Sequence, residues 1–299
     1  EGFSASDHII ESTLIVGGQE HWYLETHASI AVPGEGDEIT VYSSSQNPTE
    51  TQALVAEVLG VSKIEVNVIT RRMGGAFGGK ETQANHYAVW AALLAKHTKR
   101  PVKIKLFRDD DQKYTGKRHP YLIQYKAGYS KDGKIKAIDV VLNSNGGVAT
   151  DLSMAVLERS MLHAENCYFI PNMKIIGRAW KTNLPSNTAF RGFGGPQGIA
   201  YIETIIDKIA RQLKVDAAVI REKNFYEIKK NNITPYGQII KDNQLQNIYN
   251  QIIVKSDYVE RRKGINRFNA ENKYVKRGLA LTPVKFGISF TTAFLNQAG

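Results

Sequence analysis

The chain has 299 residues, 42% hydrophobic and 23% charged, the composition of a folded protein rather than a disordered one. No apolar stretch approaches the roughly 20 residues a membrane span needs, and the lone cysteine, Cys167, excludes an internal disulfide or a cysteine-ligated cluster built by these residues alone. The net charge of +10 is scattered in short clusters among acids, so a solvated surface or an interface with an acidic part is favoured over a nucleic-acid groove.

In chain order, the opening EGFSASDHIIEST lacks the charged and apolar regions of a signal peptide, and a cytoplasmic protein is expected. Residues 38–45 (EITVYSSS) predict a strand ending in small polar residues. Pro48 opens a helix to Gly60, because its missing N–H costs nothing in the first turn. Residues 63–70 (KIEVNVIT) alternate as a strand, a glycine-rich loop follows, and 82–96 predict a helix. VKIKLFRDDD reads as a further strand, and residues 121–142 as a hairpin turning at SKDG. A helix over 151–166, a strand over 174–180 and a second glycine loop (AFRGFGGPQG) lead into a helix over 199–214. Two or three helices are expected within 216–271 and a closing strand over 278–290. Strands and helices mixed without regular alternation predict an α+β (mixed α/β) fold. The lobes are placed at 1–115 and 116–299.

The first loop, RRMGGAFGGKE, holds G-x-x-x-x-G-K from Gly74 to Lys80, one residue short of a phosphate-binding loop. The next position should carry a magnesium-binding hydroxyl. Here it is Glu81, whose charge would repel phosphates, so a nucleotide hydrolase is disfavoured. Glycines before a helix still suit close approach of an anionic group. Glu81 could alternatively be a capping carboxylate.

This loop resembles the glycine-loop signature of the xanthine dehydrogenase family, and NTAFRGFGGPQG resembles that family's second loop. GGQEHWYLE, SSSQNPTE, GKRHP, ERSMLHA and TPVKFGISFT with LNQAG also match, in family order across almost the whole chain. The resemblance implies a molybdopterin-binding domain of the xanthine dehydrogenase/aldehyde oxidase type, part of a metal-binding hydroxylase of purine catabolism that converts hypoxanthine and xanthine to urate. It implies a molybdenum–molybdopterin cofactor here. Two [2Fe–2S] clusters and FAD would sit on an iron–sulfur/FAD subunit or domain, with NAD as final acceptor.

By the same resemblance, Gln46, Gly75, Phe77, Gly78 and Arg191 contact the cofactor, and Gln46, Phe77 and Arg191 lie near the molybdenum. Phe193 and Phe290 sandwich the purine, Thr291 hydrogen-bonds it, and Glu81 and Arg159 bind its opposite ends and take part in catalysis. Read alone, Gln46 could cap the helix at Pro48, the phenylalanines could be core, and Arg159 could pair with Glu158 or Glu165. Glu81 with Arg159 favours a purine over an aldehyde, because the aldehyde oxidases of this fold carry apolar residues there.

Ala76 departs from the family's glycine and is tolerable only at negative φ. The family's catalytic base, a glutamate, and a G-Q-G cofactor loop lie downstream of Gly299, so this stretch alone is expected to be inactive. The tract TPYGQIIKD suggests a bacterial two-subunit enzyme.

Overall fold

The computed structural model describes residues 1–287. Two four-stranded sheets organise it. The first runs β4-β3-β2-β5, from Val66–Ile69 (β4), Ile39–Ser43 (β3), Ala28–Pro33 (β2) and Val102–Lys105 (β5). The second runs β1-β6-β7-β8, from His8–Val16 (β1), Tyr121–Tyr129 (β6), Ile135–Gly147 (β7) and Met173–Lys181 (β8). Pairing is antiparallel except β3 with β4 and β7 with β8. The fold is mixed α/β.

Each sheet has its own core. Helix α1 (Pro48–Leu59) begins where the sequence predicts: Asn47 accepts the Glu50 N–H at 3.1 Å, and Gly60 closes it at φ 65°. Helix α2 (Ala84–Thr98) lays Ala88, Ala91, Ala92 and Ala95 against the first sheet, all with no exposure. A stripe of methyl groups lets helix and sheet backbones approach closely.

The second core is built of larger side chains. Tyr121, Ile123, Tyr125, Ala127 and Tyr129 alternate inward along β6. Ile202, Ile205, Ile206 and Ile209 form the facing stripe of helix α5 (Gly195–Leu213). Each buried isoleucine contributes about 1.5–3 kcal/mol relative to exposure.

The differences from expectation have local causes. The strand after α2 stops at Lys105, and RDDD starts helix α3 (Arg108–Tyr114), whose first turn holds Asp109, Asp110 and Asp111. Acids at a helix N-terminus are favoured by the dipole. Residues 63–65 form one 3-10 turn before β4. Helix α5 takes Gly195–Gly198 from the second loop, because Pro196 fits a first turn. Helix α4 (Ser153–Leu162) is shorter than expected. Helices α6 (Ala217–Lys223), α7 (Leu245–Lys255) and α8 (Tyr258–Glu271) follow.

No strand forms over 278–287, and 288–290 of that expected strand, with Phe290 and Thr291, lie outside the described residues. The unpredicted β1 pairs with β6, about a hundred residues on, so residues 8–16 share a sheet with residues beyond 115. The bond partner was remote in sequence, and only folding supplied it.

Candidate cofactor and substrate site

Gln46 lies between β3 and α1, held at both sides. Its N–H donates to the Lys80 carbonyl at 2.9 Å, while its side-chain Oε1 accepts from Gly78 N at 3.0 Å and Lys80 N at 3.2 Å. The helix cap is Asn47, so Gln46 is not the cap. It clamps the end of the first glycine loop.

Lys80 turns inward. It has no exposure, and its ammonium reaches Glu25 at 3.3 Å and Ser44 at 2.8 Å, 4.8 Å from the Tyr23 ring centre. Burial lowers its pKa, opposed by Glu25. Glu25 also accepts the Gly74 N–H at 2.8 Å. An ammonium so placed cannot serve a phosphate beside the loop.

The two glycine loops join. The Arg191 N–H donates to Phe77 O at 3.0 Å, so that main-chain donor is already used. Arg118 Nη2 donates to Arg191 O at 2.9 Å, and its guanidinium lies 3.9 Å from the Phe190 ring centre. His21 Nε2 donates to Ala189 O at 2.6 Å. A Cβ on Gly78 would stand 2.8 Å from Ala189 O. The junction therefore needs glycine on one side, as well as the positive φ of 100° there.

Phe77 (φ 56°) and Phe193 (φ 45°) both occupy the left-handed region, about 1–2 kcal/mol unfavourable for a bulky residue. Such strain clusters at ligand sites. Phe77 is 47% exposed and Phe193 is half-buried, so neither is an ordinary core ring. Ala76 is buried and absent from the positive-φ residues, as its methyl requires.

Glu81 follows the first loop but lies ahead of the first residue of α2, and Gln83 occupies the cap position. It is not the capping carboxylate. Its carboxylate takes no hydrogen bond or ion pair from the described residues, although it is half-buried. Burial, then Glu50 and Asp151, raise its pKa.

Arg159 is 8% exposed on α4. Its Nη1 donates to Gly287 O at 2.6 Å, and its guanidinium lies 5.1 Å from the Phe286 ring centre. Burial lowers its pKa. Lys285 pairs with Glu165, one of the two acids open to Arg159. Among the described residues no ion pair joins Glu81 to Arg159.

Sequence reading missed Glu25, His21, Arg118 and Asp151 as organisers. Glu25, His21 and Arg118 at least fall within quoted motifs; Asp151 gave no signal beyond opening a predicted helix.

The loop also offers donors. The N–H groups of Gly75, Ala76 and Phe77 meet no acceptor among the described residues. Consecutive free amides in a glycine loop form a cradle for an anionic or oxo-bearing group. No group of three metal-ligating side chains occurs among the described residues. The contacts available to a cofactor are amides, the Gln46 side chain and aromatic rings, which fits a group that brings its metal's ligands with it.

A mixed α/β fold with two interlocked glycine loops and free amides defines a cofactor-binding domain. Residues 1–225 match the molybdopterin cofactor-binding domain family, and the chain belongs to it. It is 48% identical over 299 residues to a xanthine dehydrogenase of Dictyostelium discoideum, covering 100% of this chain and 22% of that protein. It is also 46% identical over 300 residues to a xanthine dehydrogenase/oxidase of Felis catus, again covering 100% of this chain and 22% of the relative.

In structure it is similar to an aldehyde oxidoreductase of Desulfovibrio gigas, with TM-score 0.81 and 26% identity over 91% of this chain and 29% of that one. A quinoline 2-oxidoreductase of Pseudomonas putida shares the fold, with TM-score 0.80 and 21% identity over 91% of this chain and 35% of that one. The named sequence relatives are eukaryotic and lend no support to a bacterial two-subunit organisation.

Proposed function

We propose that this chain is the part of a xanthine dehydrogenase that holds the molybdenum cofactor and grips a purine, within a longer protein that oxidises hypoxanthine and xanthine to urate. The observation that carries the reading is Glu81, a half-buried carboxylate with no hydrogen-bond or ion-pair partner among the described residues, beside a loop whose amides likewise meet no acceptor among them. A perturbed, unpaired acid in such a place is poised for a ligand. Sequence identity near half to xanthine dehydrogenases supports the purine. The structural likeness to an aldehyde oxidoreductase supports a second reading, oxidation of an aldehyde.

When bound, the molybdenum cofactor supplies the two-electron oxidation of a ring carbon. This chain's residues position and polarise. Gln46, Gly75, Phe77, Gly78 and Arg191 would hold the cofactor, with Gln46, Phe77 and Arg191 beside its metal, and the Gly75, Ala76 and Phe77 amides would be the donors it meets. The raised pKa keeps a proton on Glu81 to higher pH than usual, so it can donate to a purine nitrogen or carbonyl, or accept a ring N–H once ionised. Arg159 stabilises negative charge growing on the purine. Phe193 covers a ring face, with Phe290 and Thr291 assigned to the same pocket. The longer protein carries two [2Fe–2S] clusters and FAD, passes electrons to NAD, and works in the cytoplasm in purine catabolism.

Arg159→Met in the complete enzyme tests this. Loss of a charge-assisted contact worth about 2–4 kcal/mol predicts a fall of roughly 30-fold to 1000-fold in kcat/KM for xanthine. Turnover of an uncharged aldehyde holds steady or rises. An unchanged ratio of the two would sink the purine assignment.

A further inference from the structure

Asp151 lies in the connection from β7 to α4 at φ 44°, half-buried. One carboxylate there gathers three parts of the site. Its Oδ1 accepts from Thr82 Oγ1 at 2.9 Å, from Thr188 Oγ1 at 2.9 Å and from Leu152 N at 2.6 Å. Its Oδ2 accepts from Gln83 Nε2 at 2.5 Å and lies 3.1 Å from Thr82 Oγ1. No ion pair involving it occurs among the described residues.

These partners are not arbitrary. Thr82 and Gln83 immediately follow Glu81, Thr188 immediately precedes the second glycine loop, and Leu152 is the N-cap of the helix carrying Arg159. Gln83 is itself fixed, its Oε1 accepting from Gly116 N at 3.1 Å. A carboxylate accepts all four donors without competing donors of its own, which no neutral side chain of similar size can do. Its left-handed backbone, tolerated better by Asp than by most residues, is held by the same four donors.

We propose that Asp151 is a positioning residue that locks the segment after the first glycine loop, the second glycine loop and the start of α4 into one register, and so sets Glu81 and Arg159 relative to each other. This rests on the purine-site reading for its functional consequence, but the locking itself does not.

The test compares Asp151→Ala and Asp151→Asn in the complete protein. Asn retains an acceptor for the threonines and Leu152 but presents an N–H to the Gln83 amide, a donor against a donor. Hydrogen exchange without substrate reads the locking directly. Asp151→Ala should speed exchange at least tenfold in 81–83 and 188–191, with strands β6 and β7 unchanged, and Asp151→Asn should fall between it and the native protein.

Under the purine reading, Asp151→Ala also loses at least tenfold in kcat/KM for xanthine at native molybdenum content, with Asp151→Asn restoring part of it. Native exchange in both segments of Asp151→Ala, or exchange raised equally in β6 and β7, overturns the proposal. Raised exchange confined to those segments, with xanthine turnover unchanged, upholds the lock and counts against the purine site instead.

Discussion

The two glycine loops look alike in sequence and both need glycine for close packing, but they are fastened in different ways. The first, around Gly74 to Lys80, is fastened by charge and side chains: Lys80 to Glu25, Glu25 to Gly74, Gln46 to Gly78 and Lys80. That leaves three consecutive amides without an acceptor among the described residues. The second is fastened by contact. A Cβ on Gly194 would stand 2.0 Å from Val156 O, and one on Gly198 2.3 Å from Ser160 O, both in α4. Ser160 Oγ adds a bond to Gly194 O at 2.9 Å. So one loop leaves backbone amides without acceptors among the described residues, and the other presses a helix against its neighbour. Glycine content alone did not distinguish them.

Gly194→Ala is the harshest way to break this contrast, since a methyl at φ 97° must also displace a helix carbonyl. A loss of about 3 kcal/mol or more is expected by thermal or denaturant unfolding. By comparison, Gly36→Ala (φ 57°, with open space around it) meets backbone strain alone, about 1 kcal/mol. Equal losses at the two positions would remove the packing role of the second loop.

Lys80→Met tests the first loop's fastening. The apolar stem is kept while the bonds to Glu25 and Ser44 are lost. Glu25 is partly exposed and keeps its bond to Gly74, so the cost is held to about 1–2 kcal/mol. Faster amide exchange at Gly74, Gly78, Gly79 and Lys80, the hydrogen-bonded amides of this loop, should accompany it, with the second loop unaffected. Loosening of both loops together would show that they are fastened as one unit.

The smallest effect is a gain. Glu81→Gln should stabilise the fold by about 0.5 kcal/mol at neutral pH, because a half-buried carboxylate near Glu50 and Asp151 is uncomfortable when ionised. The folded pKa is raised, so folded and unfolded states are both protonated well below the ordinary 4.5 and the variant gains nothing there. Between 4.5 and the raised value the unfolded state ionises first, the native protein loses stability, and the gain appears; above that it is constant. A variant less stable than the native protein at pH 7 would mean that Glu81 holds the fold rather than awaits a ligand.

Much of the architecture was determined by sequence alone. The alternation along 121–129, the isoleucine stripe of α5, Pro48 opening α1, and Gly60 closing it are local signals, set by side-chain periodicity and backbone preference over a few residues, whereas the cap fell on Asn47 and not on Gln46. The family motifs likewise brought Gln46, Phe77, Glu81, Arg159, Arg191 and Phe193 into view. Three things were decided only by tertiary structure. Strand β1 needed β6 for its hydrogen bonds, and its own pattern, exposed at most positions, hid it. Glu81 already argued against a phosphate role for Lys80, but only folding gave that lysine its partners, Glu25 and Ser44, from 55 and 36 residues away. Asp151 read only as the first residue of a predicted helix until Thr82 and Thr188 met at its carboxylate. Each depends on partners far apart in the chain, whose meeting is fixed by the packing of two cores and is written in no local stretch of residues.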